Sequence, residues 1–182
     1  MRIANAPVSY GVFELTVGRP GLPGPDQLLA AVAKAGYEGT ELGPPGYLGE
    51  GERLRGRLDR FGLALVGAYI PIRFTEPERW EEDLAGMTAT LDLLEATDGR
   101  EARPGLADAG SAERLASPGR AVRDPRLGLN EGGWRRLAEG VERAAERARG
   151  RGFEPAFHHH TGSYVEAPWE IEQLLELTDV GL

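Results

Sequence analysis

The chain has 182 residues, 41% hydrophobic and 27% charged, enough for one globular domain with a sizeable core. Its formal net charge of -8 argues against nucleic acid as the main partner, because phosphate binding rewards a basic surface. There is no cysteine, which excludes disulfides, thiolate zinc sites and cysteine nucleophiles, and no apolar run approaches the ~20 residues that span a membrane.

The first seven residues lack the apolar stretch of a signal peptide, so a cytoplasmic location is expected. Residues Arg2 to Val12 read as a first strand running into a loop, and Phe13 to Pro25, rich in Gly and Pro, as loop. A helix starts at Pro25-Asp26, with Leu28, Leu29, Val32 and Ala33 at helical spacing, and stops at Gly36. Lys34, the only lysine, falls inside that helix, so Schiff-base chemistry is not expected. Tyr37 to Gly43 reads as a second strand, stopped by Pro44-Pro45-Gly46.

The spacing of Leu54, Leu58 and Phe61 predicts a helix over 51–61, with Gly62 as its stop. Leu63 to Ile70 is the strongest strand signal, a nearly continuous apolar run that fits a strand buried on both faces. Trp80, Leu84, Met87, Leu91 and Leu94 predict a helix over 77–96. Arg103 to Gly110 stands where a fourth strand is due, and the rest of 98–129 reads as extended loop. Trp134, Leu137, Val141 and Ala145 mark the inner side of a helix over 131–149.

Phe153 to Phe157 reads as a strand, and all three histidines of the chain, His158, His159 and His160, follow it. A side-chain period of two puts His158 and His160 on one face and His159 on the other. Two converging imidazoles at a strand end bind metal or move protons; the plain alternative is a set of polar loop histidines. The run is internal, unlike a purification tag. A last helix is expected over 168–177, and Asp179 to Leu182 reads as the beginning of a sixth strand.

Strand and helix thus alternate about five times, the signature of a parallel α/β sheet. An open doubly wound sheet and part of an eight-fold barrel both fit. Neither a Gly-x-Gly-x-x-Gly turn nor a phosphate loop is present, which lowers the weight of nucleotide-binding versions.

Four stretches carry a resemblance. They are Ala4-Asn5-Ala6-Pro7-Val8-Ser9-Tyr10-Gly11-Val12-Phe13-Glu14, Ala35-Gly36-Tyr37-Glu38-Gly39-Thr40-Glu41-Leu42-Gly43-Pro44, Leu106-Ala107-Asp108-Ala109-Gly110-Ser111, and Phe157 through Ile171. Over essentially its whole length the chain resembles the xylose isomerase-like TIM barrels, the sugar phosphate isomerase/epimerase group, and within it the inosose dehydratase-type proteins. The resemblance implies an α/β TIM barrel, here about five βα units plus the start of a sixth strand, in one domain over 1–182. It also implies a divalent metal (Mn, Co, Zn or Mg) at the C-terminal strand ends and proton movement beside a carbonyl or hydroxyl of a sugar or polyol. The chain departs from the pattern by stopping at Leu182, before further family metal ligands, and by carrying His158 where many relatives have a glutamate.

On that frame His158 matches the family's metal-ligand position, and His160, two residues on, is a second ligand or an acid–base group. Glu41, at the end of strand two, is the expected general base, since partial desolvation raises a carboxylate pKa; the alternative is a solvated glutamate. Glu166 and Arg73 are expected at substrate hydroxyls or anionic groups, against a helix-start charge and a surface arginine respectively. Asp108 ends strand four and is a further substrate-binding candidate, although Asp-x-Gly is common in plain turns. Tyr10, Glu14 and Ser111 are ambiguous in the same way, and the tryptophans read as packing residues. The expected function is a metal-assisted isomerase, epimerase or dehydratase acting on a small sugar or polyol. The alternatives are a non-catalytic barrel fragment that self-associates and, disfavoured by the acidic balance, an endonuclease-IV-like nuclease. A barrel open at one side is expected to form homo-oligomers.

Overall fold

The longest apolar run forms the longest strand, which continues through Gly67 and Pro71. The computed structural model describes residues 3–97, 99 and 101–182. Five strands follow chain order in one sheet: β1 (Ala4–Asn5), β2 (Gly39–Glu41), β3 (Ala64–Ile72), β4 (Arg103–Asp108) and β5 (Ala156–Phe157). The pairs β1–β2, β2–β3 and β4–β5 are parallel. Helices α1 (Pro25–Lys34), α2 (Gly51–Phe61), α3 (Trp80–Ala96), α4 (Ala112–Leu115), α5 (Glu131–Arg149) and α6 (Pro168–Leu177) lie between and after them. This is the βα alternation of a TIM barrel, with five strands where a closed barrel has eight. A parallel bridge between Ala156 and Gly181 marks the place of a sixth strand.

The chain divides into two compact units, Met1–Tyr69 with Ala89–Arg103, and Ile70–Thr88 with Pro104–Leu182. The first is cored by Leu28, Leu29, Val32, Leu54, Leu65, Leu91 and Leu94, all nearly inaccessible. Its sheet needs glycine at position 67, where a Cβ would sit 2.8 Å from the Arg103 carbonyl oxygen. The second is cored by Phe74, Leu106, Leu137, Val141, Phe157, Val165 and Leu174. The Phe74 and Phe157 rings lie 6.1 Å apart, and the Trp80 indole donates to the Phe74 carbonyl at 3.1 Å. The 19 residues of α5 bury a stripe of small and apolar side chains, Ala138, Ala144, Ala145 and Ala148 among them.

Four expectations change, one of them the fifth strand, which is Ala156–Phe157 and not Phe153 to Phe157. The first strand is two residues long because Pro7 opens a 3-10 turn over Pro7–Tyr10; Arg2, also assigned to that strand, lies outside the described residues. Helix α3 starts at Trp80, after a 3-10 turn over Pro77–Arg79. The expected loop of 98–129, of which Asp98 and Arg100 lie outside the described residues, instead contains α4 and two 3-10 turns beyond β4. Ser111 caps α4 by accepting from the Arg114 amide at 3.2 Å, and Asp124 caps the turn over Pro125–Leu127. Short polar side chains satisfied by local amides build structure that apolar periodicity does not reveal.

Candidate active site

In the second unit β4 ends at Asp108 and β5 at Phe157, and the loops that follow meet backbone to backbone. Gly110 has φ +73, and a Cβ on it would lie 2.3 Å from the Gly162 carbonyl oxygen. Only glycine permits both the left-handed backbone and this approach. Asp108 is 1% exposed. Its Oδ2 accepts from the Tyr164 amide at 2.6 Å and the Gly110 amide at 3.2 Å. Its Oδ1 is buried and has no hydrogen-bond partner among the described residues. Burial pushes the Asp108 carboxyl up to about 6, against the lowering pull of those amides, of His160 and of Arg114. An unpaired buried acceptor is costly, so this oxygen favours a proton or a hydrogen-bond donor brought to it.

The histidines lie just past β5. The His158 amide extends the ladder by donating to the Leu106 carbonyl at 2.7 Å. The rings of His158 and His160 are 5.8 Å apart and tilted by 48°, so alternation brings these two together, while His159 is exposed. Partial desolvation, then the charges of His160 and His159, lower the His158 pKa, although the residue is exposed. His160 Nδ1 lies 2.8 Å from the Thr161 carbonyl oxygen. A carbonyl only accepts, so Nδ1 carries the proton and the neutral ring has its lone pair on Nε2, the tautomer of a general base. Among the described residues no group of three histidine, aspartate or glutamate side chains converges in a way that would hold a metal ion. The residues present therefore do not fit a metal shell.

Two expected substrate contacts are engaged internally. Glu166 Oε2 binds Arg114 at 3.1 Å, and Oε1 accepts from the amides of Gly162 and Gly119 and from the Thr161 hydroxyl. Arg73 is held by Asp83, which takes its amide at 2.8 Å and its Nε at 3.0 Å, and by Glu82 at 3.3 Å. Those hydrogen bonds and the Arg73 charge outweigh burial and hold the Asp83 carboxyl below its usual range.

Glu41 belongs to the first unit. The β2–β3 register shifts between Thr40 and Glu41, which pairs with Gly67. Its side chain is half-buried, and desolvation raises its pKa.

Sequence reasoning missed Arg114 and Glu170, 1% and 0% exposed as side chains and paired at 2.7 Å. Glu170 was within reach: a glutamate three residues after Ala167, with proline at the first helical position, is a helix-start pattern. Its Oε2 accepts from the amides of Glu166 and Ala167. Nothing in Ser-Ala-Glu-Arg-Leu announces that Arg114 is buried.

The family described as xylose isomerase-like TIM barrel has a model that matches residues 29–180. An inosose dehydratase of Geobacillus kaustophilus is 30% identical over 191 aligned positions, covering all of this chain and 58% of the relative. The chain thus spans little more than half the length of that relative. Among solved structures, a D-allulose 3-epimerase from Methylomonas sp. superposes with a TM-score of 0.63 at 13% identity, over 99% of this chain and 60% of that one. A Mycobacterium smegmatis xylose isomerase-like TIM barrel protein, solved in complex with magnesium, gives a TM-score of 0.61 at 15% identity, over 96% of this chain and 60% of that one. At such identities these structures speak for the fold.

Proposed function

Because the chain belongs to the xylose isomerase-like TIM barrel family, we propose that it serves proton transfer beside a carbonyl of a sugar or polyol. The inosose dehydratase relative makes a keto-inositol the first substrate to try. The observation that carries this reading is Asp108: a buried carboxylate with one oxygen unpartnered among the described residues, whose charge is felt by a histidine in the tautomer of a base.

In such chemistry a base removes the proton from carbon, and the bonding electrons move into the carbonyl to give an enolate. Return of a proton to the other face completes an epimerisation, and loss of a neighbouring hydroxyl as water completes a dehydration. Asp108 Oδ1 receives a substrate hydroxyl, and His160 Nε2 takes or returns the proton. Glu41 is proposed as a general base on the traits of its own unit, a raised pKa and partial burial. A divalent ion, if bound, would polarise the carbonyl and steady the enolate oxygen. His158 is the residue through which it would touch this chain, and a lone imidazole holds an ion weakly, so no step is derived through one. In this reading Glu166 and Arg73 shape loops, their charges being met within the protein.

The proposal includes a cytoplasmic home and a homo-oligomer. Among the described residues no helix is long and apolar enough to cross a membrane, and Leu175, Leu177 and Leu182 are exposed. The test is steady-state kinetics on a keto-inositol. Glu41→Gln, His160→Gln and Asp108→Asn should each lower kcat by about 100-fold or more with a smaller change in KM, the pattern of groups that act in the transition state. Unchanged turnover in any one of them removes that residue from the mechanism.

A further inference from the structure

The guanidinium of Arg114 is almost wholly enclosed and touches four parts of the second unit. Nη1 donates to Glu170 Oε1 at 2.7 Å and to the Leu127 carbonyl at 3.1 Å. Nη2 donates to Glu170 Oε2 at 2.9 Å and to Glu166 Oε2 at 3.1 Å. The group also lies 5.6 Å from the centroid of the Tyr164 ring. Nε is buried without a hydrogen-bond partner among the described residues, so the residue is not placed for the best hydrogen-bond count. Two carboxylates and one guanidinium are expensive to desolvate, and apolar side chains of similar volume often stabilise as well. A cluster of this kind is better explained by the geometry it fixes.

That geometry is the loop after β5. Glu166, held by Arg114, gathers the amide of Gly162 and the hydroxyl of Thr161. The Thr161 carbonyl sets the His160 tautomer, and the His160 carbonyl accepts from Ser163 Oγ at 2.9 Å. Tyr164, whose ring lies beside the guanidinium, gives its amide to Asp108 Oδ2. From Arg114 one chain of contacts runs to His160 and another to Asp108.

We propose that Arg114 is a positioning residue: bound to Glu166 and Glu170, it holds the His160–Glu166 loop in the conformation that sets the His160 ring and seats the Tyr164 amide on Asp108. Only the use made of His160 and Asp108 rests on the proposed function.

The test compares the full chain with Arg114→Met, Arg114→Lys and Glu166→Gln by NMR. Amide hydrogen exchange is read at Tyr164 and Gly162, with Leu137 and Val141 of α5 as reference, alongside the ring signals of the three histidines. In Arg114→Met, exchange at Tyr164 and Gly162 should accelerate by about tenfold or more while α5 is unchanged, the mark of local rather than global opening. The His160 ring signal should move. Arg114→Lys, which keeps charge but loses the two-pronged grip, should fall between Arg114→Met and the parent chain. Should Arg114→Met not fold, Glu166→Gln gives the same reading with smaller local acceleration. Unchanged loop amides and histidine signals overturn the proposal, as does equal acceleration in α5, which would make Arg114 a general stabiliser. None of these readings requires turnover. Unchanged turnover in Asp108→Asn together with the expected amide pattern in Arg114→Met would overturn the proposed role of Asp108 and leave this inference standing.

Discussion

Asp108 should register in the stability of the protein as well as in its chemistry. Its pKa rises from 3.8 to about 6 on folding because burial disfavours the charged form. The folded state then holds more protons than the unfolded state between those values, so stability falls as pH rises through that window and is level above it. The size is about 3 kcal/mol, from roughly 1.4 kcal/mol per unit. Urea melts of Asp108→Asn should lack this fall; the same pH 4 to pH 7 difference in variant and parent would show that Asp108 is not the group. The histidines make a second case. With no third ligand beside them among the described residues, uptake of Mn²⁺, Co²⁺ or Zn²⁺ should be weak, and His158→Ala with His160→Ala should abolish what there is. Equal metal content in parent and double variant would remove both as ligands. The strand period made the pairing of His158 with His160 legible in the sequence. The internal ion pairs of Glu166 and Arg73 were not: Glu166 meets Arg114, 52 positions away, and Arg73 depends on the turn that brings Asp83 back to it.

Helices were the most legible elements. The apolar spacing and glycine stop of α2 mark the residues that fold as Gly51–Phe61, and α5 and α6 follow in the same way. Strands β1 and β5 were harder, since two-residue strands take their definition from partners. The segment between β4 and α5 was read as loop because its order comes from caps and from Arg114, which have no period. The close approach of Gly110 to Gly162 belongs to this level too. Gly110→Ala places a Cβ on a left-handed backbone and against a carbonyl oxygen. It should cost about 1–3 kcal/mol from backbone strain alone. Denaturant melts check it, and a loss below ~0.5 kcal/mol, ordinary for surface changes, would mean that the loops separate freely.

For the whole molecule, strand–helix alternation gave the fold class, and the four motif stretches gave the family to which residues 29–180 are matched. Exposed apolar side chains, Ile3, Val8, Leu15, Leu115 and Leu182 among them, favour self-association, so sedimentation velocity should show mass rising with concentration. A concentration-independent monomer would count against the proposed homo-oligomer. Whether the chain performs carbon-acid chemistry is decided most directly by isotope exchange. A keto-inositol is incubated with the protein in D2O, and proton NMR follows the signal of the carbon-bound hydrogen beside the carbonyl. The signal should fade faster than in buffer, and Asp108→Asn and His160→Gln should each return it toward the buffer rate. Loss at the buffer rate with the parent chain, or loss equally fast in both variants, would contradict the assignment of proton transfer to these residues.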